Sequence, residues 1–322
     1  MSEALLGQGE EFASLLRAAR ELRLHHGFLL EGPAGSGKTT AALALALALL
    51  DDGESSVAIE KQVMARQHPD LHWLAPPKDK SDIPVDLVRE LQAGLACRAY
   101  GERARVAIID PAEHLNEQGQ NALLKTLEEP GEAAFLLLVT SRPEGLLPTV
   151  RSRVGRYRLR PLSPEAVAEA LARLRPQADP ALRAWAVEVA RGSLGFAQDL
   201  VDEPRAHELY ARFVDCVRSG NAEAHDLVAQ CLADVNGREA VEARAALVLR
   251  LLQAALAATL EDIAEGDVST LAFADGATYR LAALDRWIES CERVFETEVD
   301  VRLHIAVEQA LLGLFLELNA PC

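Results

Sequence analysis

GFLLEGPAGSGKTT, residues 27–40, joins a short apolar run to a glycine-rich loop and the start of a second apolar run. Residues 32–39, GPAGSGKT, fit the pattern G-x-x-x-x-G-K-[ST] of a phosphate-binding P-loop. The chemistry needs those residue types. Glycines let the backbone curl so that its amides point at phosphate oxygens, a lysine reaches the outer phosphates, and a hydroxyl ligates magnesium. Gly32, Pro33, Ala34, Gly35, Ser36, Gly37, Lys38, Thr39 and Thr40 are therefore the candidate contacts for ATP or ADP, with Thr39 beside the metal ion. The loop follows an expected strand and opens an expected helix running to about Leu50, which is the context such a loop requires. The competing reading is a loop that keeps its shape and has lost its ligand.

Working outward, RVAIID (105–110) and FLLLVT (135–140) are apolar runs bounded by polar or turn residues, and both read as strands buried on two faces. Between them Asn116 can cap a helix with Glu117 in its first turn, and Pro130 stops it. This alternation predicts an α/β domain, a helix-flanked parallel sheet with its ligand at the carboxyl ends of the strands. Asp110 closes its strand where a carboxylate can help hold magnesium; the alternative is a turn-capping aspartate. Pro111 follows it and cannot act as a base. Glu113, three residues past Asp110, is expected to point elsewhere. The chain is thus equipped to hold a nucleotide and poorly equipped to hydrolyse it.

The remaining composition narrows the classes. With 322 residues, 49% hydrophobic and 25% charged, the chain can bury two or three domains and is far from disordered. Net charge is −16, and the part from Ala206 onward holds 20 acids against nine arginines. Such a surface repels phosphate backbones, so DNA contact is expected elsewhere or through a partner. The five cysteines form no C-x-x-C pair, which signals neither a zinc site nor a disulfide framework. MSEALLGQGEEF lacks a basic, apolar leader, and the longest apolar run, Ala41–Leu50, is too short to span a bilayer. A reduced, cytoplasmic setting and no membrane partner are expected. Near Arg160 the pattern turns helical, with a Ser163 cap. Further on, Leu281, Leu284, Ile288, Cys291 and Phe295 form one helical stripe, and Leu303, Val307, Leu311, Leu314 and Phe315 another. Expected domains are 1–160, 161–205 and 206–322.

NALLKTLEEP (121–130) and TSRPEGLLPTVRSR (140–153), with HHGFLLEGP (25–33), HPDLHWL (68–74) and IPVDLVREL (83–91), resemble the clamp-loader subunits of bacterial DNA polymerase III, of the AAA+ class. The resemblance covers about residues 1–205. It implies an AAA+-type sheet, a small helical lid and a C-terminal helical collar. Departures from the family pattern locate the chain within it. The motor subunits, tau and gamma, carry Asp-Glu where this chain has Asp110-Pro111, and an arginine in a G-S-x-R motif that here reads Gly192, Ser193, Leu194, Gly195. Residues 51–67 lack the family's zinc-binding cysteines, so no zinc is expected. These losses resemble delta-prime, the non-motor branch, which would sit with tau/gamma and delta subunits in a ring that loads the sliding clamp onto primed DNA. The family's S-R-C motif presents an arginine finger to a neighbour's ATP. Here it reads Ser152, Arg153, Val154, which makes Arg153 the implied catalytic residue, in trans. Read without the resemblance, Arg153 is one of several surface arginines. Thr140 matches the motors' polar sensor position. Two rivals stay open: an ATP-hydrolysing motor subunit, and a P-loop kinase, which would leave NALLKTLEEP and the helical final third unexplained.

Overall fold

A computed structural model describes residues 9–51, 56–77, 82–96, 100, 103–219, 229–232, 238–264 and 311. Both C-terminal stripes lie outside these residues, save Leu311. In chain order the first unit, Met1–Gln198, begins with α1 (Gly9–Arg20), β1 (Gly27–Glu31), α2 (Lys38–Leu50), α3 (Ser56–Met64) and β2 (Leu71–Leu74). It continues with α4 (Val85–Ala96), β3 (Arg105–Ile109), α5 (Glu117–Glu128), β4 (Ala134–Thr140), α6 (Pro148–Arg151) and β5 (Gly155–Arg158). Helices α7 (Pro164–Leu174), α8 (Pro180–Ala190) and α9 (Leu194–Asp202) follow.

The five strands form one wholly parallel sheet in the order β2-β3-β4-β1-β5, the helix-flanked sheet that the alternation predicts. Successive side chains on a strand face opposite ways, and here they feed two cores. Phe28 and Leu30 join α1, α2 and α3 on one side, and Leu29 joins α4, α5 and α6 on the other. The three central strands, β1, β3 and β4, are buried at every residue, which is why each reads as an unbroken apolar run. Helix α2 is buried nearly all round, as its Ala-Leu repeat requires.

Caps end the helices where the sequence places them. Asn116 accepts from the Gly119 amide at 2.8 Å at the start of α5, and Ser163 accepts from Ala166 at the start of α7. The second unit, Asp199–Cys322, contains α10 (Ala206–Ser219) and α11 (Arg238–Ala264), which pack together and on which Leu209, Phe213, Val248 and Leu252 are buried. Within it Arg244 pairs with Glu203 at 2.6 Å, both side chains only 15% exposed. Replacing Asn116 by Ala should cost about 1 kcal/mol of stability by leaving the Gly119 amide without its acceptor. Denaturant unfolding of the chain measures it; an unchanged midpoint would mean that the cap contributes nothing.

Candidate functional site

The loop between β1 and α2 takes the shape its glycines allow. Gly35 and Gly37 have φ of 75° and 85°, in the region that side chains avoid. A Cβ at Gly35 would also collide with the Ser193 hydroxyl, so the loop lies directly against the Gly192-Ser193 turn. Lys38 is 8% exposed and donates to the carbonyls of Gly32 at 2.9 Å and Pro33 at 2.8 Å. Those bonds use two of its three protons, which leaves one for a phosphate oxygen. Burial holds its ammonium below the usual lysine range, and the charges of Glu113 and Asp110 oppose that shift. The Ser36 hydroxyl is buried without a hydrogen-bond partner among the described residues. A loop already curled, with its lysine seated, fits a bound phosphate chain.

Asp110 closes β3 beside this loop, at the carboxyl ends of the strands. The Thr39 hydroxyl donates to its carboxylate at 2.6 Å. With its proton directed to Asp110, the Thr39 oxygen keeps lone pairs for a cation, as a magnesium ligand must. Burial pushes the Asp110 carboxyl up from its ordinary range; the Thr39 hydrogen bond opposes, followed by Arg66 and Lys38, while Glu113 adds to the rise. The residues fit a magnesium nucleotide.

Glu113 corrects an expectation. It does not point away, because the 3-10 turn Ala112–His114 folds back so that its Oε1 accepts from the Ser141 amide at 3.1 Å. Its charge is felt by both Lys38 and Asp110. Thr140 is fully buried, and its hydroxyl accepts from the Arg142 amide at 3.0 Å, holding the turn after β4.

Arg153 lies at the other end of the sheet. Gly27, the first residue of β1, has no room for a Cβ: one would meet Leu127 at 2.5 Å and Val154 at 3.3 Å, with the Arg153 carbonyl at 3.5 Å. The Arg153 backbone therefore lies beside the amino end of β1, and the P-loop begins beyond its carboxyl end. At about 3.3 Å per residue the intervening strand spans roughly 13 Å. Val154, where the family motif has cysteine, packs against the core beneath. The guanidinium donates from Nε to Glu128 at 2.8 Å and lies 2.7 Å from the same oxygen through Nη2, while Nη1 donates to the Thr149 carbonyl at 3.1 Å. Gln120 is buried and ties α5 to the segment before α6, donating to the carbonyls of Leu115 and Gly145 and accepting from the Leu147 amide at 2.6 Å. Sequence reasoning singled out neither Glu128 nor Gln120 for this site; Glu128 stands in the quoted motif and Gln120 just before it, but Arg153, Gly145 and Leu147, which they hold, are 25 to 27 residues away.

The HPDLH segment forms the expected turn, with the Asp70 amide donating to His68 Nδ1 and its carboxylate accepting from the Tyr100 amide. Among the described residues no group of three or more His, Cys, Asp or Glu side chains is placed to hold a metal ion, and no helix is long and apolar enough to cross a membrane.

Residues 7–163 match the family model described as "DNA polymerase III, delta subunit". That stretch, just under half of the chain, is similar to this family. DNA polymerase III subunit delta′ of Pseudomonas aeruginosa is 38% identical over 134 residues, 40% of this chain and 41% of that one. The delta′ subunit of Escherichia coli is 35% identical over 193 residues, 58% of each chain. The chain is thus a relative of delta′, and the matches span about half the length of these curated relatives. A solved DNA polymerase III gamma subunit-related protein of Thermotoga maritima superposes with a TM-score of 0.51 at 16% identity, over 96% of this chain and 98% of that one. That likeness is one of fold, the AAA+-type sheet with its helices.

Asp110→Asn tests the balance at β3. Because burial raises the Asp110 pKa, the folded chain holds its proton more tightly than the unfolded chain, and the ionised form weakens the fold as pH rises through that window. Asn should therefore raise the unfolding midpoint modestly at pH 7, with the gain vanishing as pH falls below the ordinary carboxylate range. A midpoint lowered at pH 7 would show that the Thr39 bond outweighs desolvation.

Proposed function

We propose that this chain is a non-motor subunit of the DNA polymerase III clamp loader, a delta′-type protein of the cytoplasm. It would assemble with tau/gamma and delta subunits and complete a neighbour's ATPase site with Arg153, in a ring that places the sliding clamp on primed DNA. The observation that carries this reading is the position of Arg153. It stands at the amino end of β1, roughly a strand's length from this chain's own P-loop, so its guanidinium suits a phosphate bound by another subunit. A guanidinium at that place stabilises the negative charge that grows on a transferring phosphoryl group.

The chain's own loop would hold ATP or ADP with magnesium through Gly32–Thr40, with Lys38 on the outer phosphates and with Thr39 and Asp110 at the metal. With Pro111 in place of an acidic residue, and no arginine in the Gly192–Gly195 turn, turnover at this site would be weak or absent. One observation favours the motor reading instead. The Glu113 carboxylate, held by the Ser141 amide, is near enough for its charge to act on Lys38 and Asp110, and a carboxylate at that range could orient water.

DNA-stimulated ATPase of the reconstituted loader separates the two. Arg153→Ala should remove roughly a thousandfold of rate at the site it serves, with assembly intact by gel filtration, while Lys38→Ala changes turnover little. Equal losses from Lys38→Ala and Arg153→Ala would mean that the chain's own nucleotide matters and would revive the motor reading, and normal turnover in Arg153→Ala would sink the finger assignment.

A further inference from the structure

We infer that Glu128 is a positioning residue that sets the direction of the Arg153 guanidinium toward the neighbouring subunit's phosphate. The inference rests on the trans role proposed for Arg153 and adds the group that aims it. An arginine side chain carries several rotatable bonds, and a finger that wanders between rotamers reaches its target only part of the time. Here the head group is held on one side. Nε and Nη2 both meet Glu128 Oε1, at 2.8 and 2.7 Å, and Nη1 donates to the Thr149 carbonyl. A guanidinium presents five N–H donors in a planar fork. With the Nε–Nη2 side taken by Glu128, one proton on Nη2 remains along the outer edge, and beside it Nη1 makes only a long, 3.5 Å bond to the Ser152 hydroxyl that a phosphoryl oxygen can replace.

The placement of Glu128 itself calls for this partner. It is the last residue of α5, followed by Glu129, and the carboxyl end of a helix carries partial negative charge that disfavours an acid. Two acids at that end are mildly disfavoured, and Arg153 facing Glu128, with Lys125 in the same turn, offsets this. The base of the arrangement is equally fixed. His26 Nε2 lies 2.7 Å from the Leu127 carbonyl and ties the end of α5 to the start of β1, where Gly27 admits the Leu127 and Val154 side chains. Glu128 and Arg153 thus hang from one rigid corner. Their side chains are 53% and 38% exposed, so the pair adds little to the stability of the free chain and is accessible to a docking subunit.

The test is steady-state, DNA-stimulated ATPase of the loader reconstituted with full-length tau/gamma and delta subunits. Glu128→Ala should lower kcat about tenfold through lost orientation, with KM for ATP unchanged, because ATP is bound by the neighbour. Glu128→Gln keeps an acceptor oxygen at the same reach and should stay within about threefold of wild type. In an Arg153→Ala background, Glu128→Ala should cause no further loss, since the two act as one unit. Thermal unfolding of the free chain should be the same for all variants. Wild-type turnover in Glu128→Ala, alongside loss in Arg153→Ala, overturns the positioning role and leaves the finger reading standing. A rise in turnover overturns it by marking Glu128 as a restraint, and failure to assemble overturns it by making Glu128 an interface residue. If Arg153→Ala itself retains full turnover, the underlying finger reading is what fails.

Discussion

Strand β1 is hydrogen-bonded along both edges, to β4 and to β5, and none of its five residues reaches solvent appreciably. Leu29 and Leu30 are fully buried on opposite faces, each contributing on the order of 1.5–3 kcal/mol of burial. A strand so held cannot slide, because a shift of one residue would exchange its two apolar faces. Both candidate sites depend on that immobility. The P-loop leaves the carboxyl end of β1, and the backbone of the Ser152-Arg153 turn rests on its amino end. One element therefore fixes the phosphate cradle of this chain and the root of the arginine proposed for its neighbour.

The parts of the fold that were legible in the sequence are those buried on both faces. Residues 27–31, 105–109 and 134–140 announce themselves as apolar runs because they occupy the middle of the sheet, and α5 announces itself through Asn116. The two edge strands left no such signal. In β5, GRYR, arginines alternate with a residue that packs on Phe12, and in β2, LHWL, the two central residues are only half-buried. Edge strands read as polar because one edge and part of a face meet water. Helix α1 was missed as well, although its Phe12 and Ala19 are buried in the core.

Site residues divided along a similar line. The P-loop and Asp110 follow from spacing, since their chemistry is local or closes a recognisable strand. Glu113 was misplaced because its direction depends on a single 3-10 turn, which spacing alone does not reveal. Its charge acts with that of Asp110 against Lys38 and Arg66, so the two acids and the two cations roughly balance before any phosphate enters. Under the proposed function a divalent cation would offset the charge of the nucleotide, which Lys38 and Arg66 beside two acids do not. Gln120 and Glu128 escaped notice for a simpler reason: each acts across a separation of about 25 residues, where only folding supplies the partner.

The absent side chain at Gly27 has an evolutionary reach beyond its own position. Any mutation that places a carbon at residue 27 must find room already taken by Leu127 and Val154. Drift in three distant stretches of the chain is thereby coupled: a larger residue at 27 is accommodated most readily with a smaller one at 127 or 154. The glycine touches no ligand and carries no charge, yet lineages that keep the arginine turn should change these three positions in concert or not at all.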